Sequence, residues 1–101
     1  MAWNINYLDC VEKWLDSLPK QQFKAIAKEM KLLELTGNHL KLPHSRSLGG
    51  GIFELRERRF GLRVYYCFQK EKTVLLLLAG SKSTQEKDIK KAKLLKRQFG
   101  R

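Results

Sequence analysis

The stretch from Gly49 to Lys82, GGGIFELRERRFGLRVYYCFQKEKTVLLLLAGSK, decides the fold. Within Ile52 to Arg56, Phe53 and Leu55 alternate with Glu54 and Arg56, so a strand here sends apolar and charged side chains to opposite faces. Glu57 to Gly61 supplies a turn. In the next strand Leu62, Val64, Tyr66 and Phe68 share one face, and Arg63, Tyr65 and Cys67 share the other. Gln69 to Lys72 is a polar hairpin loop. Thr73 to Ala79 is then apolar at every position after Thr73, up to the break at Gly80. Such a run is covered on both faces, which makes it a central strand or one with the C-terminal segment lying against it. The stretch therefore reads as a three-stranded meander.

Upstream, Trp3, Ile5 and Tyr7 alternate with Asn4 and Asn6, the period of a short edge strand. The period changes at Val11: Val11, Trp14, Leu15 and Leu18 fall at i, i+3, i+4 and i+7, the stripe of an amphipathic helix. Pro19 interrupts it, and Phe23, Ile26, Ala27, Met30 and Leu33 renew it. The two helices form an αα-hairpin at Leu18-Pro19 whose apolar faces need a sheet to cover. Lys20, Lys24, Lys28 and Lys31 recur along the second helix and read as a solvated face. Gly37, in Thr36-Gly37-Asn38, suits the left-handed position that ends a helix. His39 to Gly51 reads as a connection rich in turn formers that carries Lys41, His44 and Arg46. Downstream, Ser83-Thr84-Gln85-Glu86 has capping-box spacing with Ser83 as the cap, and the helix it opens turns Ile89, Ala92, Leu95 and Phe99 inward. The expectation is a single α+β domain over residues 1–101. It comprises an N-terminal strand, a two-helix hairpin, the meander and a C-terminal helix, with the helices on one face of the sheet.

Charge narrows the function. The chain has 101 residues, and 21 Lys and Arg against 10 Asp and Glu give a net charge of +11. A surplus of that size repels itself and calls for a polyanionic partner such as nucleic acid. The longest apolar run, Val74 to Ala79, is far below the ~20 residues of a membrane span. Met1 to Tyr7 lacks the charge and length of a signal peptide, so a cytoplasmic location is expected. Cys10 and Cys67 have neither a CxxC nor a metal-type spacing and read as small buried hydrophobes. His39 and His44 lack a Cys or carboxylate partner at ligand spacing, and the triple glycine is followed by Ile and Phe where a phosphate-binding loop needs Lys and Ser or Thr. No metal or other cofactor is expected.

What remains is a set of cations on the open sheet face, Arg56 and Arg63, with Glu54 among them and His44 and Arg46 in the adjoining loop. Lys82 joins them at the strand-to-helix corner, beside a helix N-terminus that favours an anion. This set suits cleavage of RNA through its own 2′-hydroxyl, in which fixed cations stabilise a pentavalent phosphate and a nearby group moves a proton. Arg56, Arg63, Lys82, Glu54 and His44 are the candidate catalytic residues. Arg46, Lys41, Gln85 and Tyr65, the last as a base-stacking ring, are the candidate RNA contacts. An Arg–carboxylate pair that only keeps a sheet face soluble is an equally common use of Arg56 with Glu54.

The motifs Gly51-Ile52-Phe53-Glu54-Leu55-Arg56, Arg63-Val64-Tyr65-Tyr66 and Gly80-Ser81-Lys82-Ser83-Thr84-Gln85 ahead of Asp88-Ile89 resemble the phage-derived, addiction-module killer branch of the RelE/HigB toxin superfamily. The resemblance covers nearly the whole chain. It implies an α+β toxin fold with an RNA-binding sheet face, usually acting in the ribosomal A site, and a HigA-like helix-turn-helix antitoxin that binds the toxin in a hetero-oligomer. It also implies a basic catalytic set at Arg56, Arg63 and Lys82. Asp88 stands about where several members carry a Tyr or His, and Glu54 stands near a position that is Lys in the best-known ribosome-dependent members. The expected function is thus a type II toxin acting as a ribosome-dependent mRNA endoribonuclease. A ParE-type gyrase poison, or a degenerate toxin that only binds its antitoxin, are the alternatives.

Overall fold

Alternation in the meander sets the layers of the molecule. The computed structural model describes residues 2–100. Its sheet contains β1 (Asn4–Tyr7), β2 (Ser45–Gly49), β3 (Ile52–Glu57), β4 (Leu62–Gln69) and β5 (Thr73–Ser81) in the order β1-β5-β4-β3-β2. β1 runs parallel to β5, and the other neighbours are antiparallel. Three helices complete the fold: α1 (Asp9–Ser17), α2 (Lys20–Thr36) and α3 (Gln85–Phe99). The expected α+β class holds, with a fifth strand added.

One face of the sheet carries Leu55, Leu62, Val64, Tyr66, Val74 and Leu76, and these bury Val11 and Leu15 of α1 and Ile26 and Leu33 of α2. Removing a side chain of this size from water contributes about 1.5–3 kcal/mol, so this layer holds the hairpin to the sheet. The alternate residues, Tyr65 and Leu78, pack on Ala92, Ile89 and Leu95 of α3. Cys67, Leu75 and Leu77 extend that second layer. α3 therefore lies on the face opposite α1 and α2, which corrects the expectation that all helices share one face. The cause is the run Val74 to Leu78, buried throughout, which has apolar side chains on both faces and needs a cover on each.

Residues 45–49, read from sequence as part of a connection, form β2. Their register places Arg46 opposite Glu54 and Gly49 opposite Ile52. Gly50 and Gly51 close the hairpin with φ of 64° and 80°, the positive values that a two-residue turn of this kind requires. The polar composition of Ser45, Arg46 and Ser47 hides an edge strand whose partner supplies the hydrogen bonds. At the C-terminal corner the cap also differs from expectation. Ser81, not Ser83, forms the reciprocal capping pair, with Thr84, over the 3₁₀ turn Lys82–Thr84 that precedes α3. Thr84 then donates to Asp88 at 2.5 Å, and Gly80 lets this carboxylate approach, since a Cβ there would lie 2.1 Å from Asp88 Oδ2. No helix among the described residues is long and apolar enough to cross a membrane.

Candidate functional site

Two rungs of the sheet build the site. Arg46, Glu54, Tyr65 and Leu78 lie side by side across β2, β3, β4 and β5, and Arg56, Arg63 and Gly80 form the next rung along β3, β4 and β5. Side chains two apart on a strand share a face, so both rungs point to the α3 side. Glu54 is the centre of the cluster. Its Oε1 lies 3.5 Å from Arg46 Nη2 and 3.8 Å from Arg56 Nε, and its Oε2 lies 4.0 Å from Arg63 Nε. Gln85, in the first turn of α3, donates its amide to Oε2 at 2.6 Å.

These arginine distances exceed the 2.7–3.2 Å of an N–H···O hydrogen bond, so Glu54 holds the guanidiniums by charge and leaves their donors free. Four buried polar atoms of this cluster, Glu54 Oε1, Arg56 Nε, Arg63 Nε and Tyr65 Oη, have no hydrogen-bond partner. Burial usually satisfies such groups, and several orphans in one place mark a functional environment. Tyr65 is enclosed completely. Burial first, then the nearby Glu54 and Asp88 carboxylates, raise its phenol well above the ordinary value of 10.0.

The cover of α3 changes the expected picture of an open cationic face. Glu54 is wholly buried and Arg63 is only 4% exposed. Tyr65 cannot offer a ring to a base from beneath Ala92, so it is not a stacking platform in this structure. Arg46 and Arg56 are the members that reach solvent, with side chains 45% and 32% exposed. Lys82 and Lys41 are exposed. The Lys82 backbone N–H donates to the Gly61 carbonyl at 2.7 Å, which fixes the corner beside the β3–β4 turn.

His44 stands apart from the Glu54 cluster. It lies at the start of the β2 edge, where its Nδ1 meets Glu29 Oε1 of α2 at 2.8 Å. His44 and Arg56 line a cleft of about 600 Å³ between α2 and the β3–β4 turn, together with Lys24, Lys28, Arg58 and Arg59. Sequence reading passed over Lys24 and Lys28 as a solvated helix face and over Arg58 and Arg59 as turn residues. The near-helical spacing of the lysines was visible, but nothing in it told which turn α2 would face. Arg56 links the two environments.

The family model for phage derived protein Gp49-like (DUF891) matches residues 13–99. The chain belongs to the Gp49-like family. A relative, an uncharacterized protein of Haemophilus influenzae, is 43% identical over 91 residues, covering 88% of each chain. The Gp49-like chain shares its fold with RelE toxins. The free Escherichia coli RelE, in an arginine double mutant, superposes with a TM-score of 0.72 at 15% identity, over 93% of this chain and 96% of that one. RelE in the intact E. coli RelBE toxin–antitoxin complex gives 0.65 at 17% identity, over 79% and 96%. The Mycobacterium tuberculosis toxin–antitoxin complex RelBE2 gives 0.63 at 20% identity, over 81% and 100%.

Proposed function

We propose that this Gp49-like chain is the toxin of a RelBE-like toxin–antitoxin system and that it cleaves mRNA on the ribosome. The observation that carries this reading is the convergence of Arg46, Arg56 and Arg63 on one buried carboxylate, with their donors left unconsumed, on a sheet of the RelE fold. Cations held in this way are preorganised for a phosphate whose charge grows in the transition state. Arg56 and Lys82 stabilise the pentavalent phosphate as the 2′-oxygen attacks, and Arg63, enclosed behind them, adds its charge from beside Glu54. Glu54 sets the arginines in place, and His44, the more accessible of the two candidate proton-transfer groups, handles the proton. Arg46 and Lys41 contact the RNA backbone, and Gln85 fixes the cluster from α3. The net charge of +11 suits a polyanion and an encounter steered by its field. The neighbours that are toxin–antitoxin complexes support an antitoxin partner, which we take to be a HigA-like helix-turn-helix protein, and a target on the ribosome would place the action in the cytoplasm.

Induced expression followed by primer-extension mapping tests this reading. The expected result is growth arrest with discrete cuts in translated messages, and Arg63→Ala or Lys82→Ala each lowering cleavage by about 10²- to 10³-fold. Growth arrest with intact messages and trapped gyrase–DNA complexes would transfer the chain to the gyrase poisons.

A further inference from the structure

The α2 cleft holds a second constellation that the sheet-face cluster does not use. Glu29 is only 15% exposed, on the inner side of the cleft, and its Oε1 is 2.8 Å from His44 Nδ1, while the His44 side chain is 41% exposed. A carboxylate can only accept, so Nδ1 carries the hydrogen in this pair and Nε2 of a neutral imidazole is left with its lone pair. The other carboxylate lining the cleft, Glu57, is occupied. Its Oε2 accepts from the Arg59 N–H at 2.8 Å and its Oε1 from the Phe60 N–H at 2.9 Å, which builds the β3–β4 turn. Every other charged residue lining the cleft is a cation: Lys24 and Lys28 from α2, and Arg56, Arg58 and Arg59 from β3 and its turn. An oriented imidazole in a cleft where five cations outnumber two engaged carboxylates suits proton transfer at a bound phosphodiester.

We infer that Glu29 and His44 form a general-base dyad for RNA cleavage, with Glu29 as the positioning residue and the cleft cations as the seat of the RNA backbone. The inference rests on the endoribonuclease reading and deepens it by placing the scissile phosphate where Arg56 joins the cluster to the cleft. His44 Nε2 takes the proton of the 2′-hydroxyl as the O2′–P bond forms. The P–O5′ bond breaks with its electron pair on the 5′-oxygen, which takes a proton from solvent in the open cleft. The products are a 2′,3′-cyclic phosphate and a 5′-hydroxyl, and His44 returns its proton to solvent. No electrons are exchanged with any other species.

Single-turnover cleavage of an mRNA on programmed ribosomes tests the dyad with the full chain. His44→Ala is expected to lower the rate about 10²-fold or more, the usual contribution of a positioned general base, and added imidazole to restore part of it. Glu29→Gln is expected to lower the rate roughly tenfold in the parent and to change nothing in the His44→Ala background, because a positioning residue acts only through the group it positions. Lys24→Gln with Lys28→Gln is expected to weaken RNA binding and flatten its salt dependence. Thermal melts of each variant identify any that lose the fold, and for these His44→Gln and Glu29→Asp replace them. A parent chain that cuts RNA, with His44→Ala within threefold of it, overturns the dyad and leaves the endoribonuclease reading standing. Loss of rate without imidazole rescue, or equal Glu29→Gln effects in both backgrounds, also overturns it. A parent chain that cuts no RNA removes the reading and the dyad together.

Discussion

Replacing Glu54 by Gln keeps the shape of the side chain and removes the charge that three guanidiniums face. At an effective dielectric of about 20, each carboxylate–guanidinium pair at 3.5–4.0 Å has a gross Coulomb energy of about 4 kcal/mol. The Arg46 share is discounted, because 45% of its side chain is in solvent. Desolvation offsets much of the rest, and the measured consequence of stranding buried charges is about 3–5 kcal/mol. Glu54→Gln is therefore expected to destabilise the fold by about 3 kcal/mol. For a domain of this size that lowers the melting temperature by roughly 12–24 °C. Inorganic phosphate then acts as a replacement anion, so millimolar phosphate should raise the melting temperature of the variant more than that of the parent. Urea unfolding of Glu54→Gln, Arg63→Gln and the double variant supplies the cycle. A coupling of about 1–3 kcal/mol is expected, since Arg63 is as enclosed as its partner. A loss below about 1 kcal/mol with additive single variants, and no phosphate effect, would refute the view that one buried carboxylate organises the arginines.

Alkaline conditions test both layers, through Tyr66 on the α1–α2 side and Tyr65 and Cys67 on the α3 side. Burial raises Tyr65 and Tyr66 above the ordinary 10.0 and Cys67 above the ordinary 9.0. Because each folded value exceeds the unfolded one, stability is complete below about pH 8 and falls as the unfolded chain releases protons that the folded chain keeps. Each group fully engaged adds about 1.4 kcal/mol per pH unit to that slope, and Tyr65→Phe removes one such share in urea titrations between pH 8 and 11. Gly37 and Gly50 both have positive φ, at 54° and 64°, but a Cβ at Gly37 would lie 2.0 Å from Trp3 Nε1, whereas nothing lies within 4 Å of one at Gly50. Gly37→Ala is expected to destabilise by about 2 kcal/mol more than Gly50→Ala, which carries only the backbone term of about 1–2 kcal/mol, and equal losses would show that the Trp3 contact is easily relaxed.

The strands that alternate cleanly were legible because period-2 patterning maps directly onto faces. Phe53, Leu55, Val64 and Tyr66 all pack on the α1–α2 side, as their spacing says. The all-apolar run before Gly80 also announces its two covers, but not that α3 is the second of them. Its inward residues, Ile89, Ala92 and Leu95, tell that α3 has an apolar stripe but not which face of the sheet receives it. β2 escaped notice because an edge strand of Ser, Arg and Ser needs only backbone pairing, and composition carries no signal for that. The site was half legible for the same reason. In-register neighbours on β3 and β4 share one face by alternation alone, whereas the Arg46–Glu54 rung follows only once β2 is known to be a strand, and the His44–Glu29 pair joins α2 to the segment before β2, which no periodicity encodes.

The surplus of positive charge acquires a direction once the acids are located. Glu54, Glu57 and Asp88 are all buried, and each has a task inside the protein. Glu54 holds three guanidiniums, Glu57 ties the β3–β4 turn, and Asp88 receives Thr84 at the entry to α3. In this cluster the negative charge thus lies behind the cations, and Arg46 and Arg56 are the guanidinium side chains that reach solvent. An Arg paired face to face with a surface carboxylate has its fork filled and is poorly placed for a phosphate. Here the carboxylate is offset by 3.5 Å or more, which retains the attraction that fixes the side chains and leaves N–H groups for a ligand. A phosphate at Arg56 would meet guanidiniums that are already oriented, so little ordering entropy remains to oppose its binding.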